Sequence, residues 1–152
     1  MLKHSQQIGS TSCGAVAFKI MISDKVDLTE KQAKKECKTG RGRAGTYCHD
    51  VLFALRARGM EANLVTLNVD FEEYSRWLYL NSMGRKLYLA CHFICKAYGG
   101  KGGRNRQRHH AIVAHDGYIY DPGEAKPVPI ESYFDIYNKS LMIKNMILVD
   151  NQ

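Results

Sequence analysis

The sequence has no apolar run approaching the roughly 20 residues that a membrane-spanning helix requires. Its opening, MLKHSQQIGSTS, lacks the apolar stretch of a secretory signal. A membrane-embedded or exported protein is therefore not expected, and a cytoplasmic location is. An even set of cysteines is also missing: Cys13, Cys37, Cys48, Cys91 and Cys95 make five, so at least one thiol stays free within the monomer. That count fits a reducing compartment and argues against a disulfide scaffold. No internal repeat is visible, and acidic residues fall short of basic ones, 15 against 22, for a formal charge of +7. Such a charge favours an acidic partner without choosing between nucleic acid, an acidic protein and neither. What is present, 152 residues with 45% hydrophobic content, suffices for one compact domain with its own core, so a single domain over 1–152 is expected.

Periodicity places the elements. Residues 13–22, CGAVAFKIMI, are apolar apart from Lys19 and predict a helix buried all round, with Cys13 at its N-terminal end. Thr29 and Gln32 have the spacing of a capping box for a short polar helix to about Cys37. Gly40, Gly42 and Gly45 mark a loop, and Thr46 reads as the N-cap of a helix that Gly59 ends. Residues 62–67 predict a strand, and Asp70 a cap for a helix with Phe71, Tyr74, Trp77 and Leu78 on one face. KLYLACHFI, residues 86–94, predicts a buried strand. GGKGGRNRQRH, residues 99–109, predicts a mobile basic surface loop. Asp116-Gly117 predicts a hairpin turn, followed by a helix over about 130–137 and a last strand over 141–149. Helices first and mainly antiparallel strands after them give an α+β fold.

Four positions carry the chemistry. A cysteine in the first turn of a helix has its thiolate stabilised by free backbone N–H groups and the positive dipole end, and Cys13 has that placement. Gly14 leaves space for a substrate carbonyl. Gln7, six residues upstream, is a neutral donor that can form an oxyanion hole with the Cys13 N–H. If Asp116-Gly117 is a two-residue turn, His115 pairs with Tyr118, and His110 lies diagonal to Asp121 on one face. A carboxylate there can accept the Nδ1 hydrogen of His110 and favour its charged form beside a thiolate. His109 competes for the role of base, but it adjoins the basic loop whereas His110 begins the strand. Asp116 competes for the role of acid, but a turn tip points to water.

Gln7 and Cys13-Gly14 in QIGSTSCG, with His110 and Asp121-Pro122 in HAIVAHDGYIYDP, resemble the papain-like cysteine peptidases, most closely the bacteriocin-processing, double-glycine leader peptidase branch. The resemblance implies a papain-like α+β fold with the nucleophile at a buried helix N-terminus packed on a mainly antiparallel sheet. It implies Cys13 as nucleophile, His110 as general base, Asp121 as orienting acid, Gln7 in the oxyanion hole, no cofactor, and a peptide or protein substrate. No transporter segment accompanies these residues, so a transport role does not carry over.

Two other patterns stand out. Cys91-x3-Cys95 and Cys37 with Cys48-His49 invite a zinc reading, yet the first pair lies inside an apolar strand without a knuckle turn, so no metal is expected. Lys101, Arg104, Arg106 and Arg108 in the basic loop leave open an acidic partner or nucleic acid, although no aromatic residue interleaves them for base stacking. The function expected is thiol-dependent hydrolysis of a peptide or isopeptide bond. A Cys-His-Asp acyltransferase and a non-catalytic binding protein on the same fold are the alternatives.

Overall fold

The apolar segment after Ser12 forms α1 (Cys13–Met21), in which Val16, Phe18, Ile20 and Met21 are at most 1% exposed. Its surroundings come from the rest of the chain, which the computed structural model describes over residues 2–9, 11–40, 45–96, 105–136 and 141–150. α2 (Glu30–Glu36) starts at a complete capping box: Gln32 N donates to Thr29 Oγ1 at 3.1 Å and Thr29 N donates to Gln32 Oε1 at 2.8 Å. α3 (Cys48–Ala57) begins one residue later than the sequence predicts. Tyr47, not Thr46, is its N-cap, because the Thr46 hydroxyl is hydrogen-bonded to that of Thr39 at 2.7 Å.

β1 (Ala62–Asp70) runs into α4 (Phe71–Asn81), where Asp70 Oδ1 accepts from the N–H groups of Glu72 and Glu73 at 2.9 and 3.3 Å. β2 (Arg85–Lys96) and β3 (Asn105–His115) form a long antiparallel ladder, and β4 (Tyr118–Tyr120) returns along β3. β5 (Val128–Pro129), α5 (Ile130–Ile136) and β6 (Leu141–Asp150) follow. The strands form one six-stranded sheet in the order β1-β6-β2-β3-β4-β5, antiparallel at every pairing. The last strand therefore lies inside the sheet, between β1 and β2.

Alternation along the strands sends side chains to two cores. Tyr88, Val113 and Ile147 meet α1 and α3 on one face. Leu87, Leu89, Ile112 and Ile143 join Phe71 and Leu78 of α4 and Tyr133 of α5 on the other. The predicted 99–109 loop needs revision, because residues 105–109 are already in β3, paired as far as Asn105 opposite Lys96. A ladder needs only backbone groups to continue, so the absence of apolar side chains did not end it. Residues 99–104, with Lys101 and Arg104, and residues 41–44 of the glycine loop lie outside the described residues. No helix among the described residues is long and apolar enough to cross a membrane.

Candidate active site

The Asp116-Gly117 turn fixes the hairpin. Both residues have positive φ, 47° and 83°, as a two-residue primed turn demands, and His115 pairs with Tyr118. β3 and β4 then run in register to Val113 opposite Tyr120, which leaves His110 beyond the end of β4 and Asp121 just past it. The two side chains meet there, His110 Nε2 to Asp121 Oδ1 at 2.5 Å. The expectation from sequence is a bond from Nδ1, and the structure has it at Nε2. The ring is turned the other way, so Nδ1 is the nitrogen left for the thiol of Cys13, which is hydrogen-bonded to the same imidazole.

Asp121 is 1% exposed and is held by two further donors: Tyr133 donates from its hydroxyl to Oδ2 at 2.7 Å, and Gly123 N donates to Oδ1 at 2.8 Å. Burial alone would raise this carboxyl, but the bonds from His110, Tyr133 and Gly123 outweigh it and hold it below the usual carboxylate range. Burial likewise works against a charged His110, yet Asp121 and Cys13 on its two sides raise it to about 9. Burial would raise Cys13, but the hydrogen bond and charge of His110, with backbone bonds from Ala111 and Gly14, lower it overall. The other thiols follow burial alone or with like charges: Cys48 is pushed up to about 11, and Cys37 and Cys91 higher still.

Gln7 is tied to the same corner, its backbone N–H donating to Pro122 O at 2.8 Å. Its Nε2 donates to Gly9 O at 2.8 Å, and its buried Oε1 has no hydrogen-bond partner among the described residues. A Cβ on Gly14 would lie 2.8 Å from Thr46 Cβ and 3.2 Å from the Tyr88 hydroxyl, so the close approach of the protein's own residues also calls for glycine there. The rival residues are placed elsewhere. His109 pairs with His92 across the ladder, and His115 is 7% exposed with Nδ1 on Arg85 O at 2.7 Å. Asp116 caps the loop before β2 by accepting from Gly84 N at 2.9 Å.

The hydrogen-bonded Cys13 and His110 both line a cleft of about 420 Å³. It is further lined by Gly14, the segment from Gly45 to Cys48, Tyr88, Ala90 to His92, His109, Ala111, Lys144 and Asn145. Sequence reasoning missed Tyr133, since nothing in a helix twelve residues past Asp121 marks one ring as its partner. It also missed His92 and Lys144, although strand alternation from Tyr88 through Ala90 puts His92 on the cleft-facing side.

No family model and no curated protein matches this sequence. Solved structures do. One is a double glycine motif protease from an AMS/PCAT transporter in complex with the leader peptide, at 18% identity and TM-score 0.56 over 99% of this chain and 93% of that one. Another is the peptidase domain of Streptococcus ComA, a bi-functional ABC transporter involved in a quorum sensing pathway, at 16% identity and TM-score 0.55 over the whole of both chains. The fold of this chain is that of the double-glycine-motif peptidase domains, the papain-like cysteine peptidase fold.

Proposed function

We propose that the chain is a cysteine peptidase with Cys13 as nucleophile, His110 as proton carrier and Asp121 as the acid that orients it. The observation that carries this reading is the thiol at the start of α1 bonded to an imidazole whose other nitrogen rests on a buried carboxylate. With Cys13 lowered and His110 raised to about 9, the pair favours thiolate and imidazolium over the neutral couple. The thiolate attacks the scissile carbonyl carbon, forming the C–S bond and an oxyanion. As the C–N bond breaks, His110 gives its proton to the leaving amine, and a thioester remains. Water then attacks the thioester, losing a proton to His110, and the thiolate leaves.

The oxyanion falls to the Cys13 backbone N–H and to the Gln7 amide, which has one N–H not engaged by Gly9 O and lies beside the Asp121-Pro122 corner. A peptide substrate is supported by the structural neighbour that binds a leader peptide. A cytoplasmic setting fits the free thiols Cys13, Cys37, Cys48 and Cys91. The test is turnover of peptides ending their leader in Gly-Gly by wild type and by Cys13→Ala. The variant should fold and lose all turnover, and residual cleavage by it sinks the assignment. A binding protein on this fold would instead carry a Cys13 of ordinary reactivity.

A further inference from the structure

The cleft is lopsided in charge. His92, His109, His110 and Lys144 line it, and no carboxylate does so among the described residues. His110 is accounted for by Asp121 and Cys13, but the other three basic groups have no part in the chemistry above.

Their placement follows from the sheet. Tyr88, Ala90 and His92 alternate on the α1 face of β2, opposite Val113, Ala111 and His109 of β3. Where helix cover ends, this stripe changes from a buried aromatic, through a pair of alanines, to two facing imidazoles whose rings stand 4.0 Å apart at 85°. Lys144 arrives by a different device. Ala90 pairs with Asn145 and Cys91 with Ile143, so Lys144 is the extra residue of a β-bulge. Strict alternation would send it away from Asn145, whereas the bulge brings both to the cleft wall.

No acidic side chain among the described residues pairs with His92, His109 or Lys144, and the Lys144 ammonium donates to the neutral Asn68 Oδ1 at 2.7 Å. His92 Nδ1 is buried and has no hydrogen-bond partner among the described residues. Burial, with His109 and Lys144 beside it, lowers the pKa of His92, so the imidazole resists charging until a negative group arrives. A carboxylate placed there would accept from Lys144 and from a protonated His92 in charge-assisted bonds.

We propose that His92 and Lys144, with His109 at the rim, form a subsite for an acidic side chain of the peptide substrate. It would read a residue within about two positions of the scissile bond, since His109 adjoins His110 and an extended peptide advances roughly 3.3–3.6 Å per residue. This inference rests on the peptidase reading, and its test has an arm that does not. In the first arm, a random peptide library is cleaved and the products are sequenced. Asp and Glu should be enriched about tenfold over Asn and Gln at one such position, falling to within about twofold in Lys144→Gln. Cleavage without acidic enrichment, or enrichment that survives Lys144→Gln, overturns the subsite, while absence of all cleavage counts against the peptidase reading alone. In the second arm, the imidazole NMR signals of His92 in the unaltered protein are followed during addition of N-acetyl-glutamate α-amide or N-acetyl-glutamine α-amide. The glutamate compound should shift them and raise the pH at which His92 titrates, and the glutamine compound should not. Equal response to both, response to neither, or response only to a peptide with a free α-carboxylate refutes a side-chain subsite.

Discussion

Tyr133 is 0% exposed and gives its hydroxyl to a carboxylate that is itself buried, so removing that hydroxyl takes a donor away from Asp121 Oδ2. Tyr133→Phe should cost about 1–3 kcal/mol of stability in denaturant unfolding. It should also raise the Asp121 pKa. Asp121 sits below its ordinary range, so its contribution is present above that range and lost as pH falls through the depressed value. In the variant, acid unfolding should therefore begin at higher pH. For His110 the sign is opposite. Its contribution is complete below the ordinary histidine range and disappears as pH rises through about 9, whereas that of Cys13 disappears as pH falls through its lowered value. A rate profile for peptide cleavage should show a plateau between those limits with an alkaline limb near pH 9, and a plateau that continues unbroken past pH 10 contradicts the pairing. Gln7→Ala should lower kcat by about 10²–10³ if its amide meets the oxyanion. Residue type and spacing singled out Cys13, His110 and Asp121, which the structure brings together, and Gln7, whose backbone N–H bonds to Pro122 O. The sequence did not reveal Tyr133 or the Nε2 orientation of the ring, which depend on side-chain packing between separate elements.

The β3–β4 hairpin is the element on which the site depends, since one turn sets the distance between His110 and Asp121. Gly117 takes φ +83° there, and an added Cβ would also come within 2.9 Å of Tyr79 Cε2. Gly117→Ala should cost about 1–2 kcal/mol from the left-handed backbone alone. It should lower kcat more than a stability-matched core variant does, and equal kcat in the two would separate the turn from the site. Asp-Gly between β-rich runs made this hairpin readable before any coordinates, as did Thr29 with Gln32 and Asp70 at their helix starts. Thr46 misled because a hydroxyl one residue too early found Thr39 instead. The basic stretch misled because charge alone does not end a ladder that pairs through its backbone.

At the scale of the whole molecule, the cleft exists because a helical layer and a sheet built from distant parts of the chain meet at one end. β6 stands between β1 and β2, so a chain cut before Leu141 loses a central strand and leaves two ladders unpaired. Such a truncation should show no cooperative unfolding by circular dichroism. The α+β class was legible from element order, but strand order was not, since nothing local tells a final strand that its place is inside the sheet. The meeting of α1 with β3 is what brings the Cys13 thiol to the His110 imidazole. The most direct test is the rate of Cys13 alkylation by iodoacetamide as a function of pH, in wild type and in His110→Ala. Wild type should label selectively at Cys13 at mildly acidic pH, with its midpoint below that of an ordinary thiol, and His110→Ala should move that midpoint upward. A Cys13 that titrates at the same high pH in both proteins, near the value of about 11 of Cys48, contradicts the account.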